Sequence, residues 1–305
     1  MGKIAFVFSG QGAQYSGMGQ ELYNNNPASA DVFMRADSIR PGTSIQCFNA
    51  TDEELGRTSN TQPCMFAMEL AAAAALTSSG IRPDAVAGFS LGEIAALTYS
   101  GAVSFEEGFR LVCLRGELMR SDAEKTDSAM SAILKLDAET VESLCAQYEH
   151  VYPVNYNCPG QISISGLRSE LEDFIKSVKA AGGRAVPLRV KGGFHSPFMA
   201  TAAQKFGESL EKVTIRQPKI PLYSDYTGLP YEGDFVTLLS RQICNPVRWQ
   251  DIITHMIQNE VDTFIEIGPG NTLCGLIAKI DNSVRILHVD DCASLSETIE
   301  EVGGC

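Results

Sequence analysis

AVAGFSLGEIAAL, residues 85–97, sets one serine between two glycines where a short apolar run gives way to a helical pattern. Gly88-Phe89-Ser90-Leu91-Gly92 fits G-x-S-x-G, whose glycines permit a tight strand-to-helix turn that exposes the serine oxygen at the C-terminal edge of a sheet. The helix that starts there offers free backbone N–H groups and the positive end of its dipole to an oxyanion developing near Ser90. On this reading Ser90 is a nucleophile. The pentapeptide fits equally a serine N-cap between two turn glycines, so it predicts strand, turn and helix but leaves the chemistry to the rest of the chain.

Outward from that corner, IAFVF at 4–8 is another short apolar run, followed by a Gly-rich turn and helical signals through residue 36. Such alternation predicts parallel βαβ units with helices on both faces of the sheet, an α/β fold. Residues 126–190 read differently. SAMSAILKL, ETVESLCAQY, YPVNYNCPGQISISG, ELEDFIKSVKAAG and RAVPLRV give the order β-α-β-β-α-β, which predicts a small ferredoxin-like domain. It would be inserted in a discontinuous core of residues 1–125 and 191–305.

Composition narrows the function classes. The 305 residues, 44% hydrophobic, can bury a substantial core. Nine cysteines occur without a CxxC pair or a Cys/His cluster at metal spacing, which predicts reduced thiols and no structural metal. The apolar stretch of MGKIAFVFSGQG is too short for a secretory segment, and MFAMELAAAAAL is interrupted by Glu69, so a cytoplasmic protein is expected. A net charge of −13 argues against nucleic-acid and anionic-membrane partners, which require a basic footprint.

A serine nucleophile needs a base, and there are four histidines. His150 follows a polar helix end, His255 lies inside the helical DIITHMIQ, and His288 falls in the strand-like VRILHV. His195 sits in VKGGFHSPFM, where two glycines and a Ser-Pro mark a loop. Loops at the edge of a rigid sheet are where catalytic groups concentrate, which makes His195 the candidate base, against a structural role in the same loop. In the helical SFEEGFRLVCLRGELMR, Arg110 has Glu106 and Glu107 within pairing distance and Arg120 has Glu117 and Glu124. Arg115 has only Leu111, Val112, Leu118 and Met119 at those spacings. A guanidinium emerging from an apolar stripe needs an anion, either an acid from elsewhere in the fold or a ligand carboxylate held by its bidentate fork.

FSGQGAQYSGMG, TQPCMFAMELA, GFSLGE, CLRGELM, NYNCPGQISISG, GGFHSPFM, CNPVRW and IEIGPGNTLCGL follow one another along nearly the whole chain. In these segments the sequence resembles the malonyl-CoA:acyl carrier protein transacylases, acyltransferases that load malonyl units for fatty-acid synthesis. The resemblance implies a hydrolase-like α/β core with a ferredoxin-like insertion. It implies Ser90 as nucleophile, His195 as base and Arg115 as clamp for the malonyl carboxylate, with the backbone N–H groups of Gln11 and Leu91 as the oxyanion hole. Gln62, Met119 and Asn157 match positions near the acyl pocket, and Phe194 the position whose bulk excludes a branched acyl group; each also fits a structural role. The histidine is expected to be oriented by a backbone carbonyl from the segment matching CNPVRW. Loop 10–19 reads either as an oxyanion loop or as a dinucleotide loop, although it lacks G-x-G-x-x-G. Phe89 stands where the family usually has histidine.

The implied partners are malonyl-CoA and an acyl carrier protein, with no cofactor beyond the coenzyme A of the substrate and the phosphopantetheine of the carrier. Both partners are acidic. Residues 174–191 carry Lys176, Lys179, Arg184, Arg189 and Lys191 and no acid, and they form either a docking rim or a solvated basic face. A serine thioesterase or esterase would share Ser90 and His195 but leaves Arg115 without a reason. A trans-acting acyltransferase of a polyketide synthase would share all three.

Overall fold

The computed structural model describes residues 2–303. Met1, Gly304 and Cys305, at the ends of the expected core and including the ninth cysteine, lie outside the described residues. Among the described residues eight strands fall into two sheets: β1 Lys3–Phe8, β2 Ala85–Gly88, β3 Ser128–Leu134, β4 Val151–Cys158, β5 Gln161–Leu167, β6 Arg184–Pro187, β7 Val261–Ile267 and β8 Arg285–Val289.

The first sheet has the order β2-β1-β7-β8 and is parallel throughout. Alternate residues of β1 enter different cores: Ile4, Phe6 and Phe8 meet the helices of one face, Ala5 and Val7 those of the other. A parallel strand covered on both sides must be apolar at every position, which is why IAFVF contains no polar residue. The Thr58–Ser78 helix is buried almost all round, including Glu69, as expected for a helix without a polar face. It packs against the Phe105–Ala123 helix, whose start is fixed by a reciprocal capping box between Ser104 and Glu107. No helix among the described residues is long and apolar enough to cross a membrane.

Between β2 and β7 the chain builds the second sheet, antiparallel in the order β4-β5-β3-β6. Helices Ala138–Cys145 and Arg168–Ala180 supply Val141, Phe174 and Val178 to a core shared with Ile133 and Ile164 of this sheet. This is the expected ferredoxin-like arrangement. The Tyr156 N–H donates to the Val247 carbonyl at 2.9 Å, fastening β4 to the core.

The strand-to-helix corner depends on its glycines because two backbones meet there. A Cβ on Gly88 would run into the Gly92 carbonyl, and one on Gly92 into the carbonyl oxygens of Phe8 and Ser9. Gly88→Ala is therefore expected to destabilise the protein by about 2–4 kcal/mol, the overpacking and backbone-strain range, measured by denaturant unfolding.

Candidate active site

Ser90 lies two residues past the end of β2, in the left-handed conformation at φ 57°, and the Gly92–Tyr99 helix begins two residues later. A non-glycine residue there is strained, and side chains distant in sequence hold it. Its N–H donates to Asp225 Oδ2 at 2.7 Å, and its carbonyl accepts from Gln242 Nε2 at 2.6 Å.

Two glycines and a serine bend the His195 loop toward this corner. Ser196 Oγ donates to the Gly193 carbonyl and accepts from the Phe198 N–H, and Ser165 Oγ on β5 donates to the Phe194 carbonyl at 2.7 Å. The second sheet thus grips the loop one residue before His195. His195 is 4% exposed, with φ 58°, and its Nε2 lies 2.7 Å from Ser90 Oγ while Nδ1 lies 2.8 Å from the Gln242 carbonyl. A carbonyl only accepts, so Nδ1 carries the proton and Nε2 is free to take the one on Ser90. The orienting carbonyl belongs to Gln242, two residues ahead of CNPVRW rather than within it.

Arg115 is 1% exposed. Its Nη1 donates to Gln62 Oε1 at 3.0 Å, and its Nη2 to Gln242 Oε1 at 2.8 Å and Ser90 Oγ at 3.2 Å. Nε has no partner among the described residues. Among the described residues no carboxylate lies within ion-pair distance; neutral amides position the guanidinium beside the serine. Arg120 pairs with Glu117 and Glu124 as its spacing predicts. Arg110 does not pair as expected, because Glu106 is taken by Arg35 and Glu107 by the helix cap.

Ser90, His195, Arg115, Gln11, Leu91, Gln62, Met119, Asn157 and Phe194 all line one cavity of about 280 Å³. Gln62 also donates to Met119 Sδ at 3.4 Å, and Asn157 donates to Ser163 while its Oδ1 stays unpartnered among the described residues. Gln11 is anchored by its side chain to Thr58 Oγ1 at 3.3 Å. Phe89 lies outside the Ser90–His195 hydrogen bonds, its ring edge-on to Trp249 at 5.5 Å.

A buried serine, a histidine of fixed tautomer and an adjacent arginine form a centre suited to acyl transfer to and from an anionic acyl group. The sequence pattern of the acyl transferase domain matches residues 5–304. The chain belongs to the acyl transferase family. This acyl transferase is 39% identical to the malonyl CoA-acyl carrier protein transacylase of Bacillus subtilis over 308 residues, covering 98% of the chain and 96% of that relative. The crystal structure of the transacylase of that name from Clostridium perfringens matches with a TM-score of 0.96 at 37% identity, covering 99% of this chain and 98% of that one. A malonyl-transacylase solved with a type II polyketide-synthase acyl-carrier protein matches with a TM-score of 0.94 at 34% identity, covering 98% and 99% of the two chains.

Electrostatics in the acyl transferase's site follow from its burial. Desolvation first, and then the Arg115 charge, push the His195 imidazolium down to about 4, against the pull of the Gln242 and Asn245 backbones. A depressed value means that the neutral, proton-accepting ring persists as pH falls from neutrality through the ordinary histidine range. The acid limb of kcat/KM, which reports the free enzyme, is thus expected below about pH 5 rather than near 6.5. Steady-state rates across that range test this, and an inflection at the ordinary value would contradict it.

Asp225 and Gln242 were invisible to sequence reasoning. Neither falls in a recognisable motif, and both act on Ser90 from more than a hundred residues away. Gln242 touches all three central residues, with its carbonyl on His195, Oε1 on Arg115 and Nε2 on Ser90.

Proposed function

We propose that this acyl transferase moves a malonyl group from malonyl-CoA to the phosphopantetheine thiol of an acyl carrier protein through a malonyl-Ser90 ester. The observation that carries the reading is the arginine cation 3.2 Å from a serine oxygen that also meets a histidine at 2.7 Å. Ser90 attacks the thioester carbonyl as His195 Nε2 takes its proton. The N–H groups of Gln11 and Leu91 receive the oxyanion, and coenzyme A leaves as a thiol with the proton returned by His195. The carrier thiol then attacks the ester by the same steps in reverse order. Arg115 selects the acyl group by holding its free carboxylate, and Phe194, 6% exposed, fills the wall where a branch would lie. The chain needs no cofactor of its own and works in the cytoplasm, where both substrates reside.

Incubation with malonyl-CoA and a holo-carrier protein, followed by mass measurement of the carrier, tests this. Malonylated carrier is expected. Free coenzyme A and malonate with an unmodified carrier would favour a thioesterase instead.

The basic rim fits the carrier's charge. Lys176, Lys179, Arg184, Arg189 and Lys191 are all exposed, and Leu188 and Val190 line the cavity, so Arg189 and Lys191 alternate with residues of its wall. Lys176 pairs with Asp173, just outside the acid-free stretch, at 2.8 Å. Charge reversal at Lys179 and Arg184 together is expected to slow carrier malonylation and flatten its salt dependence, with self-acylation by malonyl-CoA unchanged. An unaltered salt dependence would remove the rim from docking.

A further inference from the structure

Two carboxyl groups lie beneath the Ser90 corner, and the acyl-transfer steps use neither. Asp225 and Glu93 are both fully buried. Asp225 Oδ2 accepts the Ser90 N–H at 2.7 Å and Gln242 Nε2 at 3.1 Å. Glu93 Oε1 accepts the Asp225 N–H at 3.1 Å and the Tyr231 hydroxyl at 2.6 Å. The remaining oxygens, Asp225 Oδ1 and Glu93 Oε2, have no partner among the described residues. Buried acceptors without donors are costly, and a proton on one carboxyl group removes one of two neighbouring buried charges.

We propose that Asp225 and Glu93 hold a single proton between them and take up a second when a substrate carboxylate docks on Arg115. The proposal rests on the reading that Arg115 holds the malonyl carboxylate.

Charge balance carries the argument. One proton on the pair leaves one negative charge, which offsets the Arg115 cation. Among the other groups nearby, Tyr231 is held neutral by burial and by Glu93, and His195 is neutral at physiological pH. Arg248 gives only its backbone N–H, to the Asp225 carbonyl, while its guanidinium turns to Asp251. Desolvation, the largest cause for both carboxyl groups, raises Glu93 well above its ordinary value and Asp225 to about 7, while Arg115 pulls both down. A malonyl carboxylate cancels that pull. The acid–carboxylate pair then gains one proton from solvent and becomes two neutral acids. Asp225 Oδ2 keeps the Ser90 N–H throughout, which makes Asp225 a positioning residue. Acylation adds no net proton at neutral pH, since the Ser90 proton ends on the coenzyme A thiol.

The experiment mixes the full chain with malonyl-CoA or acetyl-CoA in weak buffer near neutrality, reads a pH indicator by stopped flow, and measures the intact mass of the same samples. Malonyl-CoA is expected to draw up to about one proton per chain and acetyl-CoA none. In the Glu93→Gln/Asp225→Asn double variant the malonyl-dependent uptake should vanish. Should that variant fail to fold, Glu93→Gln alone retains an acceptor for Tyr231, and its uptake should move to lower pH because one of the two buried acids is gone. A malonyl adduct without uptake overturns the inference and leaves the proposed function standing; no adduct removes the functional reading itself. Uptake persisting unchanged in the double variant assigns the proton to another group and also overturns it.

Discussion

Ser90→Ala is expected to lower malonyl transfer by on the order of 10⁴-fold or more, the scale for deleting a nucleophile whose neighbours act as a unit with it. The effect should be confined to chemistry. Both backbone hydrogen bonds that hold Ser90, from its N–H to Asp225 and from Gln242 to its carbonyl, survive the substitution, and the hydroxyl contributes only its contacts with His195 and Arg115. Thermal unfolding should therefore stay close to wild type while the initial rate of carrier malonylation collapses. A variant retaining a substantial part of that rate would mean that another residue carries the acyl group.

Arg115→Ala should invert the substrate preference rather than abolish turnover. Each charge-assisted hydrogen bond to a carboxylate contributes roughly 1.5–3 kcal/mol, so losing a two-pronged grip should slow acylation by malonyl-CoA on the order of a hundred- to ten-thousandfold. Acetyl-CoA makes no such contacts and should be affected far less. The substitution also removes a fully buried side chain on which Gln62 and Gln242 converge, so stability should drop, and the ratio of kcat/KM for the two substrates in the folded fraction is the quantity to compare. An unchanged ratio would release Arg115 from the role of clamp.

What the sequence revealed about this molecule depends on how local each signal is. IAFVF, AVAGF and the glycines around Ser90 act over a few residues, and the parallel sheet with its sharp corner forms where they predict. The β-α-β-β-α-β order of the second sheet was legible for the same reason, because strand and helix periods alternate cleanly there. His195 was legible as the base for Ser90 from its loop, although 105 residues separate the two, whereas the placing of Arg115 beside them was reached only through resemblance. The partners of Arg115 were not legible. Helix spacing predicted that it would need an anion, but the fold surrounds it with the neutral amides of Gln62 and Gln242, 53 and 127 residues away. Arg110 shows the converse: its acidic neighbours were close enough in sequence, yet Arg35 and a helix cap hold them instead.

The proposed mechanism turns on a malonyl ester on Ser90, chosen by the charge of Arg115. The most direct test is the intact mass of the protein, quenched within seconds of mixing with malonyl-CoA alone or acetyl-CoA alone, beside Ser90→Ala. A malonyl adduct is expected on the wild-type chain, none on the variant, and at most a trace of acetyl adduct. Rapid release of coenzyme A without any adduct, or equal labelling by both thioesters, would contradict it.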